Sequence, residues 1–156
     1  VGARRKTHVG MEILNIRCKK MHKDATVPKY AKTGDAGLDL TAIEMIVTDD
    51  GKYIYKTGLA FEIPEGHVGY LFPRSSIRNM DLMMVNGVGV IDSGYRGPLE
   101  FTFIATDNDN PRRYSAGDRI GQLVIMPYPQ INLEDVGERQ LAESERGTKG
   151  HGSTGN

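Results

Sequence analysis

The sequence predicts an all-β domain, a sandwich, jelly roll or barrel with one short helix, and three observations carry that reading. Apolar and branched residues alternate in short runs that recur at about 8–12-residue intervals, with Gly and Pro between them. No long stretch sustains a 3.6-residue period. At 156 residues one domain is the default, and such a chain can bury roughly 70% of its unfolded surface.

The elements follow in chain order. Residues 1–10, ahead of Met11, read as a disordered basic tail or a leftover of expression. Residues 12–19 alternate loosely through Ile13, Leu14, Ile16 and Cys18 as a first strand. Val27-Pro28-Lys29-Tyr30 is an extended loop, because Pro28 keeps its predecessor out of the helical region. A turn at 33–37 runs into a strand with Leu38 and Leu40 on one face and Asp39 on the other. Residues 52–56 and 57–63 read as two strands, Pro64-Glu65-Gly66 as a hairpin turn and 67–72 as the returning strand. Pro73-Arg74-Ser75-Ser76 then breaks the sheet, and Ile77, Met80 and Met84 have the spacing of a short helix over 74–84.

Residues 82–85 lead into a glycine-rich hairpin at 86–97. Leu99, Phe101 and Phe103 alternate cleanly over 99–105, and 107–111 is a polar loop. Ala116-Gly117-Asp118 turns the chain into 119–128, the most buried-looking strand. Beyond Pro129 the pattern fades into an acidic segment and then a coreless glycine-rich one. The domain is therefore expected to span 11–133, followed by a flexible C-terminal arm at 134–156.

Formal net charge is zero, which argues against a nucleic-acid or membrane-surface binder and leaves a small anionic ligand open. The lone Cys18 excludes an internal disulfide and fits a reducing compartment. No run is long and apolar enough to span a membrane, so the expected location is cytoplasmic, or nuclear in a eukaryotic or viral setting. Four scattered histidines and no cysteine pair give no zinc spacing. Asp39 and Asp92 suit only a hydrated Mg²⁺ carried in by phosphates.

Three polar segments carry chemical content. Residues 86–97 present Asp92, Tyr95 and many bare backbone amides at one point, and the alternative is an ordinary turn whose Asp bonds its own backbone. Pro73-Arg74-Ser75-Ser76 offers a guanidinium and two hydroxyls suited to phosphate oxygens; Ser75 or Ser76 capping a helix is the other reading. Residues 146–155 fail the P-loop pattern, since Ser153 stands where a lysine should follow Gly152. What remains is a flexible cationic arm able to close over a polyphosphate, or a plain linker.

Ala36-Gly37-Leu38-Asp39-Leu40, Pro73-Arg74-Ser75-Ser76, the 86–97 segment, Gly117-Asp118-Arg119-Ile120-Gly121-Gln122-Leu123 and the 146–155 segment resemble, in order, the five motifs of the trimeric deoxyuridine triphosphatases. That resemblance implies a distorted jelly roll of the β-clip kind, assembled as a homotrimer with shared active sites, that hydrolyses dUTP to dUMP and pyrophosphate with Mg²⁺. It implies Asp92 as the general base that activates water, and Tyr95 as the platform under the deoxyribose. Asn86 and the backbone through Gly89, Val90 and Ile91 would read the uracil edge. Arg74, Ser75, Ser76 and Gln122 would contact the triphosphate, and Asp39 would touch the Mg²⁺ through water. Arg146, Gly150, Gly152, Ser153 and Thr154 would belong to the capping arm, with His151 as the base-stacking ring. The family usually has Phe at the position of His151 and Gly at that of Lys149.

Two other readings are weighed. A dCTP deaminase shares the fold, but its catalytic glutamate would fall at Thr102, with Glu100 two residues short. A nucleotide-binding regulatory protein on the same scaffold is the second.

Overall fold

The computed structural model describes residues 5–6, 12–150 and 152. Two antiparallel sheets face each other across one core, with a two-stranded appendage in which β1 (Arg5–Lys6) pairs with β2 (Glu12–Ile13). The five-stranded sheet holds β3 (Arg17–Lys20), β5 (Glu44–Val47), β6 (Lys52–Glu62), β8 (Leu82–Met84) and β10 (Pro98–Ala105). The four-stranded sheet runs β4 (Leu38–Thr41), β11 (Arg119–Pro127), β7 (His67–Phe72), β9 (Gly89–Ile91). The all-β, jelly-roll-like expectation holds. No helix among the described residues is long and apolar enough to cross a membrane.

The core explains the alternation. Tyr55, Phe101, Phe103, Leu59 and Leu99 from the larger sheet meet Leu40, Ile120 and Leu123 from the smaller one, all essentially excluded from solvent. Contact between the layers is close enough that a Cβ on Gly121 would collide with the ring of Phe101. The buried hydroxyl of Thr57 donates to the carbonyl of Leu99 (2.6 Å) and accepts from the amide of Leu59 (3.2 Å), so it is satisfied inside the core.

Several boundaries differ from the sequence reading. The expected strand at 12–19 is divided, because its two ends pair with different partners, β1 and β6. The two strands expected at 52–56 and 57–63 are one, β6, which passes through Gly58 at φ +67° without breaking. β10 lies along one edge of β6, while β5 and β3 take successive lengths of the other. β6, not the strand at 119–128, is the most buried. β5 gave no sequence signal. The helix over 74–84 is reduced to one 3₁₀ turn at Ser75–Asn79, since Leu82–Met84 is claimed by β10.

The most consequential difference lies at 86–97. This segment is not a hairpin between paired strands. β8 belongs to the larger sheet and pairs with β10, while β9 belongs to the smaller sheet and pairs with β7. The glycine-rich stretch therefore carries the chain from one sheet to the other and back, which sets Asp92 on the rim where the layers meet.

Candidate active site

One group of polar residues gathers where β7 ends. Gln122 in β11 stands opposite Asp39 on β4 and Phe72 on β7, so three adjacent strands bring these positions together. Pro73 ends β7, and its carbonyl accepts from Gln122 Nε2 at 2.9 Å. Gly37 is required here, because a Cβ would collide with Gln122 Oε1. Arg74 Nε donates to Asp39 Oδ1 at 2.9 Å, and its Nη1 donates to Ser76 Oγ and to the Arg119 carbonyl, each at 3.3 Å. Arg119 adds a second guanidinium 3.7 Å from Asp39 Oδ2. Two arginines thus share one carboxylate, leaving a net positive corner beside the exposed hydroxyl of Ser75. The capping reading of 73–76 is not realised: Arg74 occupies the N-cap position of the 3₁₀ turn with no side-chain cap bond, and Ser76 Oγ instead meets Tyr114 Oη at 2.8 Å.

The second group surrounds the crossover. Gly87 adopts φ +68° to turn the chain out of β8, and its amide bonds the Met84 carbonyl at 3.2 Å. β9 ends the smaller sheet, so one row of its peptide groups is left unpaired by strands. A turn closed by the Tyr95 amide on the Asp92 carbonyl (3.1 Å) follows, leaving the Asp92 carboxylate exposed. Tyr95 Oη donates to the Pro98 carbonyl at 3.1 Å, and the ring lies over Gly97, where a Cβ would strike it. Arg96 folds back, its Nη1 donating to the Ser93 carbonyl at 2.6 Å and its Nη2 lying 3.9 Å from Glu62 Oε1. Val90, Ile91, Asp92, Tyr95 and Glu100 line a recess of about 210 Å³.

These two groups stand apart within one chain. Ile91 pairs with Gly69 near the start of β7, whereas Arg74 follows its end. At ~3.3 Å per residue they lie on the order of 15 Å from one another. Asn86 is exposed at the entrance to the crossover, and Gly89 packs against Leu71.

In the arm, Arg146 curls onto itself, its Nε donating to the Lys149 carbonyl at 3.0 Å. Gly150 and Gly152 are exposed, while His151, Ser153 and Thr154 lie outside the described residues. Sequence reasoning passed over Arg119, Glu100 and Tyr114. Arg119 stood inside a quoted motif and could have been found there. Glu100 was weighed only as a deaminase acid, and Tyr114 gave no signal.

Among the described residues no group of three or more His, Cys, Asp or Glu is arranged to hold a metal. A single carboxylate flanked by two guanidiniums fits a hydrated cation that arrives on phosphates, and does not fit one held by side chains alone.

Comparison with known proteins converges on one family. A dUTPase family model matches residues 23–155. The deoxyuridine 5′-triphosphate nucleotidohydrolase of Thermobifida fusca is 36% identical over 144 residues, covering 91% of this chain and 79% of that protein. The structure of the Staphylococcus bacteriophage 80alpha dUTPase with dUPNHPP superposes with a TM-score of 0.80 at 30% identity, covering 91% of this chain and 99% of that one. A mutant dUTPase from phage phi11 of S. aureus, described with a coordinated structural Mg(II) ion, gives 0.67 at 27% identity, covering 80% and 97%. A family match over most of the chain, and a relative above one-third identity across nine-tenths of it, establish that this chain belongs to the dUTPase family.

Proposed function

We propose that this chain hydrolyses dUTP to dUMP and pyrophosphate, with Asp92 as general base for water attack on the α-phosphorus. The observation that carries this reading is the recess in which an exposed carboxylate, Asp92, and a tethered phenol ring, Tyr95, share a wall, with Glu100 as a second carboxylate on its lining. In this reading the ring, its hydroxyl committed to the Pro98 carbonyl, packs under the deoxyribose and discriminates against a 2′-hydroxyl. Asn86 and the unpaired edge of β9 at Gly89, Val90 and Ile91 supply donors and acceptors for the uracil edge. Uracil and cytosine carry opposite patterns there, so fixed backbone can select between them.

In the reaction Asp92 takes a proton from water as its oxygen bonds the α-phosphorus. The bond to the α–β bridging oxygen breaks, and pyrophosphate leaves. Arg74, Ser75, Ser76 and Gln122 bind the triphosphate and hold it in line. Asp39 would hold a phosphate-borne Mg²⁺ through water, and the ion would supply charge neutralisation for the leaving group. The arm at 134–156, with Arg146, Gly150, His151, Gly152, Ser153 and Thr154, closes over the nucleotide and shields the phosphates from bulk solvent.

The separation of the two groups along β7 favours assembly. A nucleotide on one chain's recess meets the arginine corner of another, so the active unit is a homotrimer with the body at 11–133 forming its core and with no nucleic-acid or membrane partner. The test is pyrophosphate release from dUTP with Mg²⁺, alongside dCTP, dTTP and UTP, and solution mass by sedimentation. Release from dUTP alone by a trimer is expected. Ammonia from dCTP would favour a deaminase, and tight dUTP binding without turnover a regulatory protein.

A further inference from the structure

Ser76 sits at the arginine corner with its oxygen between two partners, Tyr114 Oη at 2.8 Å and Arg74 Nη1 at 3.3 Å. Tyr114 is 3% exposed, and its ring packs against Tyr55 and Phe103 with centroids 6.1 Å away in each case. Its carbonyl accepts from the buried Tyr55 hydroxyl at 2.8 Å. The residues before it are pinned as well, Arg113 over the Tyr53 ring at 5.3 Å and Arg112 to Asp81 at 3.0 Å. Tyr114 is thus a rigid post rising from the core, and its hydroxyl reaches only Ser76 among the described residues.

The direction of that bond follows from counting protons. A buried phenol leaves an unmet donor unless it gives its hydrogen to something, and Ser76 Oγ is the acceptor within reach. Arg74, which has only donors, occupies the other lone pair of the same oxygen. With both lone pairs filled, the serine's own hydrogen has to point out of the network. We propose that Tyr114 is a positioning residue for the anion-binding corner: it fixes Ser76 so that its O–H is aimed at a phosphate oxygen, and it keeps the Arg74 guanidinium in place. This rests on the reading of 73–76 as a triphosphate contact.

The experiment compares two ligands, a non-cleavable dUTP analogue and dUMP, which lacks the outer phosphates, by calorimetry on Tyr114→Phe, Ser76→Ala and the double variant. Phe keeps the ring between Tyr55 and Phe103 and removes only the hydroxyl. Tyr114→Phe is expected to weaken the analogue about 3–10-fold, the range of one hydrogen bond, and to leave dUMP within about twofold. The double variant is expected to bind the analogue no worse than Ser76→Ala alone, because both act through one oxygen. Analogue binding weakened by Ser76→Ala but not by Tyr114→Phe would overturn the positioning role and leave the corner's function standing. Equal loss of both ligands in Tyr114→Phe, or additive losses in the double variant, would also overturn it. Unchanged analogue binding in all three variants would instead remove the corner from triphosphate recognition.

Discussion

Asp39 on β4 and Arg74, just beyond the end of the non-adjacent β7, form a charge-assisted bond of 2.9 Å with both side chains largely shielded from solvent. The pair fixes the Arg74 guanidinium, and in the proposed mechanism the second carboxylate oxygen, 3.7 Å from Arg119 Nη1, also accepts from a metal-bound water. Asp39→Asn is expected to cut turnover about 10–100-fold and to raise the Mg²⁺ concentration needed for half-maximal rate. Initial rates across a Mg²⁺ titration check this; an unaltered Mg²⁺ requirement would take Asp39 out of that role.

Asp92→Asn keeps the shape of the recess and removes the base. Affinity for the non-cleavable analogue should stay near wild type while turnover falls on the order of 10²–10⁴-fold. Single-turnover kinetics separate the two, and substantial residual chemistry would point to another base.

Deleting residues 145–156 should reduce turnover far more than the melting temperature. A large thermal shift would make the segment structural. His151→Phe should keep or raise activity if the ring stacks on the base, whereas a collapse would indicate proton transfer by the imidazole, whose ordinary pKa is ~6.5.

Gly121→Ala tests the packing between sheets. The new methyl would meet the Phe101 ring, which is fully buried and has no free direction to move. A loss of about 1–3 kcal/mol in chemical denaturation is expected, with partial recovery in the double variant Gly121→Ala/Phe101→Leu. Lack of recovery would place the strain elsewhere.

Tyr55 governs the alkaline limit. Burial pushes its phenol up to about 12, and the neutral form is the one that donates to the Tyr114 carbonyl. With ~10 in the unfolded chain, the stability held by the neutral form is complete below pH ~10 and lost as pH rises toward 12. Tyr55→Phe is expected to be less stable at neutral pH by about 1 kcal/mol, and to show a shallower fall above pH 10 in urea melts. Parallel slopes for the two proteins would refute the assignment.

Local pattern carried much of this. Leu99, Phe101 and Phe103 alternate with period two and lie inward as that period requires. A turn does stand at Pro64-Glu65-Gly66, but it is not the expected hairpin: β6 before it and β7 after it belong to different sheets and do not pair. Asp39, set against Leu38 and Leu40 by the same alternation, does face the polar corner. Where pattern failed, pairing was responsible. The break expected between 56 and 57 is absent because β6 is paired on both sides of Gly58, and Met84 has helical spacing with Ile77 and Met80 yet extends because β10 supplies partners.

From sequence alone, the order of its motifs determined the family and the alternation of its short apolar runs determined the all-β class, because turn glycines, prolines and period-two patterning act through local backbone preference. Which sheet each short strand joins was decided only in three dimensions, since hydrogen-bonded edges are satisfied by residues far away in the chain. That is why 86–97 became a bridge between layers, and why Tyr114, an unremarkable residue in a loop, came to stand under Ser76.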